Sequence, residues 1–463
     1  MILQSVLVYL PALLSGFLLV HLAWPERDLF SFFLKLFLGL GAGLGLDSLF
    51  YFIVLLLAPG KIPFFIIQIL VLIVLIVMVF LRERNQTWNL KFQSSRCPPL
   101  LFPLFLAALL LTFASFVNFS IRRDQGAFDA WMIYNRAARF IFRDAAHWRA
   151  TLSPDLYWGF HADYPLLVPL NVAWAWEAIG SESIRTPLIQ SGLFLFGAIG
   201  LLFAALARIK SPAQGSLAAI ILMSVSGFIR SGSGQTADVP LAFYLLASNV
   251  LLYLAVRQDD KILLALSGLM LGLAGWTKNE GLLAVAIGVG VLLIFSIKQK
   301  SLKQFAYYLI GLAFPVLVIA CFKLFLAPPG DLFAGSLSDY FARMTDPSRY
   351  LLILKAVWNE ILSFGGWPFS LLACLVVYGL LAGFKVSNES ARGFRLLLTL
   401  AGLQLLGYVF VYLITPHDLA WQLATSFDRT IMQVFPSLLF LFFCCLPKPE
   451  ELFMNGEHHA PDH

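Results

Sequence analysis

Five short polar clusters interrupt an otherwise apolar chain: residues 122–129, 161–165, 236–240, 277–280 and 417–429. Between them they hold residue types that can serve as a general base or as ligands for a phosphate or sugar. Asp129 and Asp124 could act as a general base, and Lys278, Arg429 and Arg185 could meet a phosphate. Arg429 is the better oxyanion ligand because its planar fork binds bidentately, whereas Lys278 offers a compact point charge. His161, Asp163, Tyr164, Asp238, Glu280, His417 and Asp418 could orient a polar substrate around that centre.

Each residue also has a plainer reading. Asp129 stands at the start of an amphipathic segment and could simply cap its helix, with Asp124 balancing Arg122 and Arg123. Asp238, followed by Pro240, could cap the next helix. Lys278 could pair locally with Glu280 or Asp238. His161 and Asp163, two residues apart, could polarise a substrate, hold a divalent metal or anchor a loop; that spacing alone does not specify a metal. The set specifies no cofactor; a divalent metal and none are the two alternatives it leaves open. Lys35, Asp47 and Lys323, in or near apolar runs, read as snorkelling or paired groups.

The elements that must position these groups follow from composition. A chain of 463 residues that is 60% hydrophobic and 13% charged, with mean hydropathy +0.83, is an all-α polytopic membrane protein. Runs of about 20 apolar residues read as helical spans and exclude a β-barrel. The surplus of six positive charges is dispersed, which suits loops beside anionic headgroups and points away from nucleic acid. Cys321, Cys374, Cys444 and Cys445 lie in apolar runs and Cys97 ends a basic loop, so no structural disulfide is expected. The first run lacks a basic segment before it and ends in Trp24-Pro25-Glu26-Arg27, which reads as a retained span.

Arg82, Arg84, Lys91 and Arg96 place their connection in the cytoplasm by the positive-inside rule. If the short run 164–179, interrupted by Pro165 and Pro169, stays on the outer surface as an interfacial or re-entrant helix, the later basic loops also face the cytoplasm. These are Arg208/Lys210, Arg257/Lys261, Lys298/Lys300/Lys303, Lys385/Arg392/Arg395 and Lys448. Spans are expected at 3–23, 29–58, 62–81, 100–120, 187–206, 213–229, 239–256, 262–277, 281–297, 304–326, 368–384, 396–415 and 431–446, about thirteen in all. The second carries Gly39, Gly41, Gly43 and Gly45, which predicts a tilt or a break near Asp47.

All five clusters then fall on the outer face. Residues 1–98 form a three-span extension, 99–446 the main module with outer loops 121–186 and 327–367, and 447–463 a cytoplasmic tail. From Phe128 to Phe142 apolar residues occupy one face and Arg136, Arg139 and Arg143 the other, the pattern of a helix in the headgroup layer. Trp158, Trp174 and Trp176 suit the interfacial belt. An amphipathic stretch at 351–364, with Lys355 and Glu360 polar, is expected to cover the site as a mobile lid.

At these residues the chain resembles the GT-C class of membrane glycosyltransferases, in the group that includes protein O-mannosyltransferases and the aminoarabinose transferases of lipid A. The resemblance covers roughly 100–446. It rests on Asp129 with Ala137, on Tyr164-Pro165-Leu166-Leu167, on Asp238-Val239-Pro240-Leu241, and on Gly272-Leu273-Ala274 with Thr277-Lys278. The acidic pair often seen in that class as Asp-Glu is Asp129-Ala130 here, so a second carboxylate would come from Asp124, Asp163 or Asp238. The resemblance implies transfer of a sugar from a polyprenyl-phosphate carrier to a hydroxyl of a glycan, lipid or protein acceptor. That transfer would occur at the outer face of the cytoplasmic membrane and invert the anomeric carbon. A transporter or flippase for a lipid-linked sugar is the competing expectation, but it would place its polar residues at mid-depth and not at one face.

Overall fold

The computed structural model describes residues 2–84, 100–153, 155–156, 161–333 and 335–451. Lys91, Arg96, Cys97, Trp158 and the tail beyond 451 lie outside the described residues. No strand occurs among the described residues. The helices are α1 (Ile2–Leu7), α2 (Leu10–Ala23), α3 (Leu29–Leu57), α4 (Phe64–Glu83), α5 (Leu101–Arg122), α6 (Asn135–Arg143), α7 (Leu167–Ile179), α8 (Arg185–Ile209), α9 (Pro212–Ser224) and α10 (Ser226–Ser233). They continue with α11 (Asp238–Gln258), α12 (Lys261–Thr277), α13 (Asn279–Lys298), α14 (Leu302–Phe325), α15 (Leu337–Thr345), α16 (Pro347–Ser363), α17 (Leu371–Ala382), α18 (Asn388–Ile414) and α19 (Leu419–Cys444).

Among the described residues, ten helical stretches are long and apolar enough to cross a membrane, and twelve if each of two bent pairs counts as one span. The protein is therefore a polytopic helical membrane protein. Each expected span coincides with a helix or a bent pair. Two correspond to pairs, α9 with α10 bent by 70° and α16 with α17 bent by 82°, and a third is the shorter α12. The centre of the bundle is α11, whose most apolar window is 89% buried, whereas α4 and α5 bury only 11% and 17% of theirs and present the rest to lipid.

The second span does not break at Asp47. It is one helix of 29 residues, capped by Asp28, whose carboxylate accepts from the amides of Phe30 and Ser31. Its glycines serve close approach. A Cβ at Gly43 would lie 1.9 Å from the carbonyl oxygen of Ala12, and one at Gly16 would lie 2.0 Å from that of Gly39, so α2 and α3 meet backbone to backbone. Gly41 and Gly45 make room for Phe243 and Leu273. Asp47 accepts from Gln68 Nε2 at 2.6 Å and ties α3 to α4.

The segment expected as an interfacial or re-entrant helix, 164–179, is helical from Leu167 and enclosed by other helices, so it does not lie open on the protein's surface. In α7 every residue from Leu167 to Trp176 is buried, and Trp174 and Trp176 donate to Asn171 Oδ1 and to the carbonyl of Ser183, both at 2.9 Å. They are core residues and not part of an interfacial belt. The sequence LVPLNVAWAWEAI is apolar on all sides, the mark of a helix enclosed by protein.

The short basic connections meet at one end of the bundle. Glu26 pairs with Arg208, Gln258 reaches Glu26 at 3.4 Å, Arg27 and His21 pair with Glu83 at 2.9 and 2.6 Å, and Lys210 donates to the carbonyl of Leu446 at 2.9 Å. Buried Lys35 lies 3.1 Å from His21 Nδ1. Because α11 has 21 residues, about 30 Å, its other end at Asp238 belongs to the opposite side of the bundle.

Candidate functional site

Asp238 organises that opposite end. Its side chain is 1% exposed, and both carboxylate oxygens are engaged by protein groups. Oδ1 accepts from Lys278 Nζ at 2.9 Å and from Gln433 Nε2 at 2.7 Å. Oδ2 accepts from Arg429 Nε at 2.9 Å and Nη2 at 2.7 Å. A carboxylate offers about four acceptor positions, so Asp238 is saturated. Arg429 and Gln433, one turn apart, face the same side of α19 and grip the two oxygens together. Tyr408 donates to Gln433 Oε1 at 2.8 Å and fixes which end of the carboxamide faces Asp238.

Arg429 sits in this position because the connection expected from His417 to Arg429 is helical from Leu419 onward. Asp418 caps that helix, accepting from the Trp421 amide at 2.7 Å. His417 lies 3.8 Å from Asp331. Arg349 and Arg343 donate to the terminal carbonyls of α18 and the residue after it, between Tyr412 and Thr415. Ile353 of α16 is buried with Tyr412, Leu413, Leu423 and Phe427, so the expected lid rests on α18 and α19.

Asp129 meets the same guanidinium. Its Oδ2 lies 2.5 Å from Arg429 Nη2, and its side chain makes no capping bond to the helix it precedes. The chain after it runs through a π-helical turn, Ala130–Tyr134, before α6; such turns carry one extra residue and recur at functional sites. Asn135, at the junction, donates to Gln235 Oε1 at 2.9 Å and ties this segment to the loop before α11. Asp129 is 22% exposed and Arg429 25%, against 7% for Lys278 and 1% for Asp238. Asp129 and Arg429 are thus the accessible pair and Lys278 with Asp238 the enclosed one.

Lys278 is the single extended residue between α12 and α13. It pairs with Glu280 at 2.8 Å as well as with Asp238, so both local partners considered from the sequence are present at once. Burial opposes its charge, but Asp238 and Glu280 outweigh burial and hold the ammonium protonated well above the usual lysine range. Next to it, Asn279 donates to Asp163 Oδ2 at 2.7 Å, and Lys323 contacts Asp163 at 3.4 Å and Asn279 Oδ1 at 2.8 Å. His161 is stacked on Tyr164, with ring centroids 4.6 Å apart. The Asp163 carboxylate already faces the ammonium of Lys323, a poor arrangement for sharing a divalent cation with His161. Among the described residues no three His, Cys, Asp or Glu side chains form a cage.

The structure therefore gathers Asp129, Asp238, Lys278, Glu280 and Arg429, with Asp163, Asn279 and Lys323 alongside. Asp124 is exposed, and its backbone carbonyl, not its carboxylate, accepts from Gln235. Arg185 heads α8, its amide bonded to Ser183 Oγ, and takes no part in the hydrogen bonds around Asp238 among the described residues. Sequence reading passed over Gln433, Tyr408, Asn279 and Tyr134. Asn279 lay inside the cluster 277–280, and Gln433 left a trace as a polar residue four after an arginine inside an apolar run.

Residues 163–323 match the family model described as dolichyl-phosphate-mannose-protein mannosyltransferase. That match supports a glycosyltransferase of the GT-C type. It opens on Asp163 and closes on Lys323, the two residues that contact each other across the fold, and it contains Asp238, Lys278 and Glu280. It is shorter than the stretch over which the motifs suggested a resemblance. No curated protein and no solved structure matches the chain.

Proposed function

We propose that the protein transfers a sugar from a polyprenyl-phosphate carrier to an acceptor hydroxyl at the outer face of the cytoplasmic membrane, inverting the anomeric carbon. The single observation that carries this reading is the accessible Asp129–Arg429 pair, backed by the enclosed Asp238–Lys278 pair at the end of the bundle opposite the basic loops. A lipid-linked donor keeps its tail among helices and its sugar phosphate at their mouths, where this pair lies.

Asp129 accepts the acceptor's proton as its oxygen attacks the anomeric carbon, and the bond to the phosphate oxygen breaks with its electrons leaving on polyprenyl phosphate. Arg429 takes up the charge that develops there, where a preorganised donor lowers the barrier. Asp238, held by Lys278 and Gln433, keeps the guanidinium in place while the phosphate displaces Asp129 from it. Asp129 is then freed as a base only when donor is bound. Lys278 supports Asp238 and reaches the phosphate as a second cation at most from behind it. His161, Asp163 and Tyr164 border the sugar. The partners are the lipid-linked donor, membrane lipid and a glycan, lipid or protein acceptor.

The test is purified protein in lipid with a polyprenyl-phosphate sugar of known anomeric configuration. The reading expects product of opposite configuration and no transfer from a nucleotide sugar; retained configuration, or use of the nucleotide sugar alone, would overturn it. The face is tested by labelling cysteines from outside the cell: position 129 is expected to react and position 208 to stay silent.

A further inference from the structure

Helices α15 and α16 each leave one apolar face open. In α15, Leu337, Phe341 and Met344 recur at i, i+4 and i+7, and no residue of that helix is buried. In α16, Leu351, Leu354, Trp358 and Leu362 share the side opposite Ile353, which packs with Tyr412 of α18 and with Leu419 and Leu423 of α19. Leu337, Phe341, Leu351, Leu354 and Trp358 are each more than half exposed. Large apolar side chains gathered on one face of an amphipathic helix mark a surface that meets a membrane or another protein.

Depth decides between the two. The first turns of α18 carry Arg392 and Arg395 at the basic end of the bundle, and the apolar stretch from Leu396 to Ile414 then rises about 28 Å, close to the ~30 Å of a hydrocarbon core. Ile414 therefore stands where acyl chains give way to headgroups on the Asp238 side. Arg343 of α15 donates to the Ile414 carbonyl at 3.0 Å, and Arg349, at the head of α16, donates to those of Tyr412, Leu413 and Thr415. Both helices are fastened at that depth. Beyond α16 the chain runs through α17 to the basic end, where the Lys385 amide donates to the Cys445 carbonyl at 2.7 Å, and α17 exposes Leu372, Val376 and Leu380 at i, i+4 and i+8. The open stripe is thus continued along the chain by a lipid-facing helix. Lys355, exposed at the margin of the stripe, has a stem long enough to carry its ammonium to the phosphates.

We propose that α15 and α16 dock on the phospholipid leaflet at the Asp238 end of the bundle, with Phe341, Leu354 and Trp358 sunk at the boundary between headgroups and acyl chains. The partner is the lipid surface itself, because the stripe lies at bilayer depth, where a soluble protein does not reach. Ile353 of α16 backs Leu423 and Phe427, the turns of α19 before Arg429. The docking therefore holds one wall of the charged site against lipid, and the segment expected as a mobile lid is a rim moored in the leaflet. This holds whatever reaction the site performs.

The test places the photoreactive residue benzoylphenylalanine in full-length protein in phosphatidylcholine nanodiscs. It replaces Phe341, Leu354 or Trp358 in turn, and exposed Ser338 or Asn359 as controls off the stripe. After illumination, mass spectrometry is expected to show phospholipid adducts at the three stripe positions, severalfold more than at the controls. Three positions on two helices keep the test standing if one variant fails to fold. Stripe positions that give no lipid adduct, that give no more than the controls, or that cross-link instead to a second copy of the chain would overturn the docking.

Discussion

The guanidinium of Arg429 holds the carboxylate of Asp129 across 300 residues of sequence, Nη2 to Oδ2 at 2.5 Å, while its other contacts are to Asp238. One cation thus joins an enclosed carboxylate to an accessible one. Asp238 has no acceptor to spare for a substrate, and Asp129 has one bond that an incoming phosphate can replace. On the proposed reading this asymmetry gives the two acids different work, Asp238 holding the site together and Asp129 meeting the substrate.

Removing the enclosed acid should cost the fold. In Asp238→Ala, Lys278 and Arg429 lose their shared counterion, and breaking a buried pair by deleting one partner costs about 3–5 kcal/mol. A marked fall in melting temperature in detergent is expected, larger than for Asp129→Asn. Equal melting of the two variants would show that Asp238 does not anchor the cluster.

Arg429→Lys keeps the charge and loses the fork. A single ammonium cannot bond Asp238 and reach a second anion with the same geometry, so transfer is expected to fall on the order of a hundredfold, the scale of losing one transition-state donor. The variant should still fold, because a cation remains beside Asp238. Wild-type rates in this variant would show that bidentate geometry is not what the site uses.

Much of this was legible beforehand, for physical reasons. Span positions follow from hydrocarbon thickness, and each expected run falls on a helix or part of a bent pair, although α12, with 17 residues, is shorter than the helices long enough to cross on their own. The alternation of basic loops located the end of the bundle at which Asp129, Asp238, Lys278 and Arg429 meet. Whether Lys278 would pair with Asp238, with Glu280 or with neither was undecidable, because sequence spacing carries no information on how α11 and α12 are packed. Asp129 looked equally like a helix cap, and only the position of α19 sends its side chain to Arg429. The loop assigned around Arg429 proved helical because Asp418 supplies a cap well before the apolar run begins. The assignment of α7 as an interfacial or re-entrant helix rested chiefly on the charges of the later loops, which say nothing of how closely other helices enclose it. The glycines of α3 suggested a tilt or a break near Asp47, although their recurrence equally suits a backbone contact with α2.

That contact makes its own prediction. In Gly43→Ala the new methyl would lie 1.9 Å from the Ala12 carbonyl, whereas in Gly290→Ala it meets nothing within 4 Å. Overpacking of this kind costs about 1–3 kcal/mol, so Gly43→Ala should lower the melting temperature and Gly290→Ala should not. Equal behaviour would mean that α2 and α3 are not apposed as described.

The central claim is that Asp129 removes the proton of the attacking hydroxyl. Its most direct measurement is transfer from radiolabelled polyprenyl-phosphate sugar in membranes carrying equal amounts of wild-type or Asp129→Asn protein. Asparagine keeps the size and can still accept from Arg429 but cannot take a proton, so product is expected to fall to background while donor binding persists. Product formed by the variant at the wild-type rate would contradict the account.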